Sequence, residues 1–154
     1  MMDALFADIL SQGLDLRLKV TGRSMAPFIK NGEIVVLRRV LPGSLRCGDI
    51  IYFTDAAGAA VLHRLIAKEI KPDGSTTFIT RGDALLRHDA PISKDQIVGK
   101  AVRVEKILPL LGPAVLDFDS IFCKWLYGVY MLYRKARHKF INRALLCRVL
   151  PTLQ

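Results

Sequence analysis

Cysteine is scarce in this chain of 154 residues, and the three that occur, Cys47, Cys123 and Cys147, are odd in number and far apart. They build neither a CxxC zinc spacing nor an even disulfide framework, so free thiols are expected, and no metal or cofactor. No stretch qualifies as a transmembrane helix, because Asp117, Asp119 and Lys124 interrupt the only window long enough, and each would be costly at a bilayer centre. The opening "MMDALFADILSQG" carries Asp3 and Asp8 and lacks a basic n-region, which argues against a secretory signal and fits a short amphipathic helix over residues 1–13. Internal repeats and low-complexity tracts are also missing. Acidic charge is in deficit: 14 Asp and Glu against 23 Lys and Arg leave a net charge of +9 on a chain that is 51% hydrophobic. That balance points to a folded domain working near a membrane surface or another anionic partner.

Where apolar residues are plentiful, they alternate. "LDLRLKV" sets Leu14, Leu16, Leu18 and Val20 against Asp15, Arg17 and Lys19, the period of two that marks a strand with one buried face. "EIVVLRR", "DIIYFT", "AAVLHRLIAKEI", "TTFIT" and "QIVGKAVRVEK" follow, rich in Val, Ile, Thr and aromatics, and "KNG", "LPGS", "DAAG", "KPDGS" and "RGD" punctuate them as turns. Parallel crossovers would need helical segments between strands. Their absence predicts a mainly β fold, an antiparallel β domain over residues 14–108. The length allows one such domain with a real core plus an appendage.

Beyond Lys106 the pattern changes. "ILPLLGPAVL" is apolar but broken by Pro109, Gly112 and Pro113, and then Phe122, Leu126, Val129, Tyr133, Ala136 and Phe140 recur at steps of three and four, with Lys124, Lys135, Lys139 and Arg143 on the other side. Residues 109–154 therefore read as a basic amphipathic helical tail. Two placements fit it: packed on the β domain with its basic face in solvent, or lying in a membrane interface with Trp125, Tyr127, Tyr130 and Tyr133 near headgroup depth. The second makes the protein membrane-associated, peripheral or monotopic, and is compatible with a cytoplasmic location.

"VTGRSMAPFIKNGEIVVL" builds a rigid turn around Ser24 and runs at once into a β-branched strand. A serine hydroxyl is a weak nucleophile at neutral pH and needs a neighbour to take its proton. Of the three histidines, His138 falls in the basic helix and His88 in the loop "RGDALLRHDAP", where surface roles suffice. His63 lies inside a strand, followed by Arg64. A strand histidine is commonly a hydrogen-bonded structural residue, but Asp83 and Asp89 in "TFITRGDALLRHDAP" supply carboxylates that can orient an imidazole. Such aspartates also shape turns by accepting backbone N–H bonds.

Together these blocks resemble the signal peptidase I superfamily, specifically the branch found in archaea, sporulating bacteria and the endoplasmic reticulum. "GRSMAPFIKNGEIVVL" is similar to its serine box, "RCGDIIYF" to its Gly-Asp strand, "VLHRLI" to the box with the general base, "ITRGDALLRHD" to the acidic box and "QIVGKAVRV" to the closing strand. The five stand in family order over roughly residues 20–108. The resemblance implies a serine endopeptidase that removes leader or signal segments from exported or maturing proteins. Ser24 would be the nucleophile, His63 the general base and then acid, Asp89 the orienting carboxylate and Asp83 a support. Met25, Gly22 and Arg64 would serve the oxyanion hole or the supporting structure. Ala84 stands where the family's acidic box has asparagine, and Gly22 where some relatives carry a serine that assists the oxyanion hole, so backbone N–H donors are expected to do that work.

The substrate implied is an extended peptide or protein precursor that adds a strand to an exposed sheet edge. One further departure from the family accompanies this reading, since the residues ahead of the serine box are unsuited to span a membrane. A second reading within the same fold, a self-cleaving repressor-type regulator, would carry a lysine base and a DNA-binding helix-turn-helix, for which those residues leave no room. The alternative is a non-catalytic or regulatory relative that binds a membrane surface or a protein partner through its basic tail. No nucleic-acid reader motif is present, so no nucleic acid is expected as a partner.

Overall fold

A computed structural model describes residues 2–108, 112–120, 123, 125–134 and 136. A helix, α1 (Met2–Ser11), precedes seven strands: β1 (Leu16–Lys19), β2 (Ile34–Arg38), β3 (Ile50–Thr54), β4 (Ala60–Ile70), β5 (Thr76–Arg81), β6 (Ile97–Leu108) and β7 (Gly112–Asp117). All pair antiparallel in one sheet, in the order β1-β2-β6-β3-β4-β5, and β7 also pairs with β6. The mainly β, antiparallel architecture read from the alternation is thus the observed one, with a short helical segment near the C-terminus. Each of the six alternating or apolar runs quoted above holds all or most of one of the strands β1 to β6.

The long strand β6 organises the sheet. β2 lies along one edge of it; β3, from Phe53 to Ile50, takes residues 97–101 of the other edge, and β7 takes residues 103–108. Register shifts interrupt the pairing at Val36/Leu37, Tyr52/Phe53 and Leu65/Ala67, and such bulges bend a sheet and increase its twist. The curved sheet has a core on each face. Ile50 and Tyr52 of β3 join one core with Leu10, Met25, Ile29, Leu37 and Val104, whereas Ile51 and Phe53 join the other with Leu45, Leu65, Phe78 and Ile92. That double burial is why "IIYF" is an unbroken apolar run and not an alternating one. α1 covers the first core with Leu10, which comes so close to β6 that a Cβ on Gly99 would lie 2.9 Å from its Cδ1 and 3.0 Å from the Arg38 carbonyl oxygen.

The sheet does not stop at residue 108, where the sequence reading ended the β domain. β7, placed by that reading in the tail, buries Leu116 against the first core, with Phe118 just beyond it, while Pro113, Val115 and Asp117 face outward. Pro113 is tolerated because β7 pairs with β6 alone among the described residues, so its missing N–H breaks no ladder bond on the far side. Lys100 ties the strand's exit to the sheet, its Nζ 2.7 Å from Asp119 and 3.1 Å from Asp49. Burial presses this ammonium toward the neutral form, but its hydrogen bonds to Asp119 and Asp49 more than offset that and hold its pKa above the ordinary lysine value.

Residues 1–119 and 120–154 form two separate compact units. In the second, residues 123, 125–134 and 136 are helical. Phe122, Lys124, Lys135, His138, Lys139, Phe140, Arg143 and Cys147 of the sequence reading lie outside the described residues. Among the described residues no helix is long and apolar enough to cross a membrane, and Cys47 and Cys123 are free thiols.

Candidate active site

The loop between β1 and β2 carries Ser24. Its base is closed by two backbone bonds, Val20 N–H to Glu33 O and Gly32 N–H to Val20 O, each 2.8 Å. Inside it, the Gly22 N–H donates to Asn31 Oδ1 at 2.9 Å, and the Ile29 N–H to the Met25 carbonyl at 3.0 Å. Met25 and Ile29 are buried in the first core, which anchors the loop on both sides of Pro27. Lys106 of β6 completes the clamp, donating to the Phe28 carbonyl at 2.7 Å and to both oxygens of Glu33 at 2.9 and 3.0 Å. Ser24, half-buried, is therefore held by a braced turn and not by a loose segment.

β4 supplies the next two side chains. Successive residues of a strand point to opposite faces, so adjacent His63 and Arg64 serve different neighbourhoods. His63 shares a face with Leu65 and sets its ring 6.4 Å from that of Phe53 in the second core. Arg64 lies across the Phe28 ring, 5.4 Å from its centroid, and engages Asp83 with two parallel bonds, Nε to Oδ1 at 2.9 Å and Nη2 to Oδ2 at 2.7 Å. Its Nη1 donates to the Gly48 carbonyl at 2.7 Å. Both partners are deeply buried, their side chains 6% and 2% exposed. Bidentate guanidinium–carboxylate geometry fixes direction as well as distance, so this pair bolts the start of the acidic loop to β4.

That loop then folds back over the serine turn. The Ala84 N–H donates to the Ser24 carbonyl at 2.8 Å, a contact that needs the backbone of residue 84 and no particular side chain. Gly82 sits at the crossing: a Cβ there would lie 2.7 Å from the Ser24 carbonyl oxygen and 3.0 Å from His63 Nε2. Only glycine admits this approach. Gly82 therefore lies between the Ser24 carbonyl and His63 Nε2, and Ser24 and His63 line one cleft. On the other side of the ring, Nδ1 is 2.6 Å from Asp89 Oδ2. The fully buried Thr80 donates its hydroxyl to that same oxygen at 2.6 Å, and the Asp89 N–H returns a bond to the Thr80 carbonyl at 2.9 Å.

The structure thus brings Ser24 and His63 to Gly82, Asp89 to the imidazole and, on the other face of β4, Asp83 to the guanidinium, while Met25 lies in the first core beneath the serine turn. Gly22 lines the same cleft, but its N–H is committed to Asn31. His88 is exposed on the loop and takes no part in these contacts. The sequence reading missed Thr80, Gly82 and the brace from Lys106 to Glu33. Thr80 had a legible signal: it stands two residues after Phe78 on the inward face of β5, and a buried hydroxyl on such a face requires a partner. Gly82 and the Lys106 brace depend on contacts between distant segments that no local pattern encodes.

A cleft of about 200 Å³ opens beside Ser24, lined by Thr21, Gly22, Met25, Ala60, Leu62 and His63 among others. Along it runs a half-open strand edge. Residues 60–64 of β4 pair with β3, and β5 joins the other edge only from Arg64 onward, so among the described residues no strand covers that edge at 60–63. Such an edge presents unpaired backbone groups to an extended chain. Among the described residues there is no group of three His, Cys, Asp or Glu able to hold a metal ion.

Compared with known proteins, residues 4–102 match the family model described as Peptidase S24-like. No curated protein matches the chain.

Proposed function

The chain belongs to the Peptidase S24-like family, a serine-peptidase family, and from that premise we propose that it is an endopeptidase that cleaves leader or signal segments from protein precursors. The observation that carries this reading is the 2.6 Å contact of His63 Nδ1 with Asp89, which leaves Nε2, on the Ser24 side of the ring, to exchange protons. Ser24 Oγ attacks the scissile carbonyl as His63 Nε2 accepts its proton, and Asp89 keeps the imidazole oriented and stabilises its charged form. Thr80 holds the carboxylate, and the Arg64–Asp83 pair holds the loop that carries it. Because Gly22 already donates to Asn31, the Ser24 N–H is the donor assigned to the oxyanion. The imidazolium returns its proton to the leaving amine, and the acyl-enzyme is hydrolysed by water with His63 again as base.

The substrate binds extended along residues 60–63 of β4, its side chains alternating toward and away from the cleft. A volume of about 200 Å³ suits small residues next to the cut, in line with the signal-peptidase resemblance. The test is mass spectrometry of peptides with an Ala-x-Ala leader junction after incubation with wild type, Ser24→Ala and His63→Ala. Cleavage at one bond by wild type, lost in both variants, is the expected result. Cleavage unchanged in Ser24→Ala, or none by folded wild type across a leader-peptide library, overturns the reading.

A further inference from the structure

The C-terminal helix carries an exposed apolar face. Trp125, Leu126, Val129, Leu132 and Tyr133 are all exposed, Trp125 by 64% and Leu132 by 69%, and Ala136 is exposed with them. At the helical repeat these six fall within an arc of roughly 120°. Tyr127, Tyr130, Met131 and Arg134, on the opposite side, are half-buried. An apolar stripe of this breadth in water marks a surface built for a partner.

Charge identifies the partner. Between Ser120 and Gln154 there are seven Lys and Arg, Lys124 and six more from Arg134 to Arg148, and no Asp or Glu. Seven of the nine net positive charges therefore belong to this segment, since the remaining 16 Lys and Arg and all 14 Asp and Glu lie before it. A second copy of the segment would set seven like charges against seven. A nucleic acid would satisfy the cations and can stack a base on Trp125 or Tyr133, but it offers no apolar phase to Leu126, Val129 and Leu132. An anionic bilayer satisfies both, with headgroups for the cations and the acyl boundary for the aliphatic side chains, and the indole of Trp125 suits the interface between them. With no described helix able to span, the helix would lie in the plane of the surface. We propose that this segment docks the protein on anionic phospholipid membranes through the Trp125–Tyr133 stripe.

Trp125 is the sole tryptophan of the chain, so intrinsic emission of the full-length protein reports directly on the stripe. The protein is titrated with phosphatidylcholine vesicles, with or without phosphatidylglycerol, at low and high salt. The expected result is a blue shift and protection from iodide quenching with the anionic vesicles, with affinity falling about tenfold or more as salt rises through the screening range. Leu132→Glu and Val129→Glu, exposed substitutions that touch neither core, lower vesicle affinity at least about tenfold with unchanged circular dichroism. Equal affinity for both vesicle types, or an undiminished blue shift in the Glu variants, overturns the proposal. So does an emission shift produced instead by duplex DNA or by raising protein concentration, which assigns the stripe to nucleic acid or to a second copy.

Discussion

Arg64→Met removes one partner of a buried ion pair and leaves the Asp83 carboxylate, 2% exposed, without its bidentate partner. It also leaves the Gly48 carbonyl without the donor that Nη1 supplies. Breaking such a pair from one side costs about 3–5 kcal/mol, because the remaining charge keeps its desolvation penalty and loses its compensation. Unfolding entropy near 60 °C is roughly 2 cal/mol/K per residue, so a unit of residues 1–119 loses about 4 °C of Tm per kcal/mol, and the variant is expected to melt about 12–20 °C below wild type. Asp83→Leu should fall in the same range. The double variant Arg64→Met/Asp83→Leu removes both charges together and should recover about 2 kcal/mol or more of the summed losses. Thermal and urea unfolding followed by circular dichroism gives all four corners of the cycle. A Tm within about 4 °C of wild type in either single variant, or strict additivity in the double, would refute the assignment of this pair as the bolt of the acidic loop.

Thr80→Val keeps the shape of the side chain but withdraws one of the two donors on Asp89 Oδ2; a hydrogen bond to a charged group is worth about 1.5–3 kcal/mol, so kcat on a cleaved leader peptide should drop about tenfold or more with KM little changed, and Thr80→Ser should restore it. Gly82→Ala forces a Cβ to within 2.7 Å of the Ser24 carbonyl; steady-state assays should show activity lost, while unfolding reports a cost of about 1–3 kcal/mol. Asp15 should show in acid titrations of stability. The hydrogen bond from Arg38 holds its carboxyl below the ordinary range, so the unfolded chain takes up its proton first; the contribution is present above the ordinary carboxylate pKa and disappears as pH falls through the lowered folded value. Asp15→Asn should flatten that part of the Tm–pH curve, an effect that is small because the pair is exposed and that shrinks further with added salt.

Much of this molecule is legible along the chain because its strands follow local rules. Leu16 and Leu18 alternate with Arg17 and Lys19, and β1 follows; the glycines and prolines between runs mark the turns. β7 escaped because Pro113 and Gly112 read as breakers, and an edge strand tolerates what a central one does not. At the site, Ser24, His63, Asp83 and Asp89 announce themselves by chemical type and by order. Their pairing is a different kind of information: Asp89 meets His63 and Asp83 meets Arg64 because Thr80 and Gly82 set the path of the loop, across separations that no period of two or of 3.6 records. The amphipathic period of the C-terminal helix is equally plain along the chain.

The alternation of His63 and Arg64 on β4 constrains how this gene can drift. One codon inserted between the β3–β4 turn and His63, absorbed as a shift of register, would carry the imidazole to the Arg64 position on the Asp83 side and the guanidinium to the Leu65 position in the second core, so that neither keeps its partner. Two inserted codons would restore the faces but leave each side chain two residues beyond its partner. Length variation upstream of the His-Arg pair should therefore be confined to the exposed tip of the β3–β4 turn, residues 56–58, where it leaves the register of β4 unchanged.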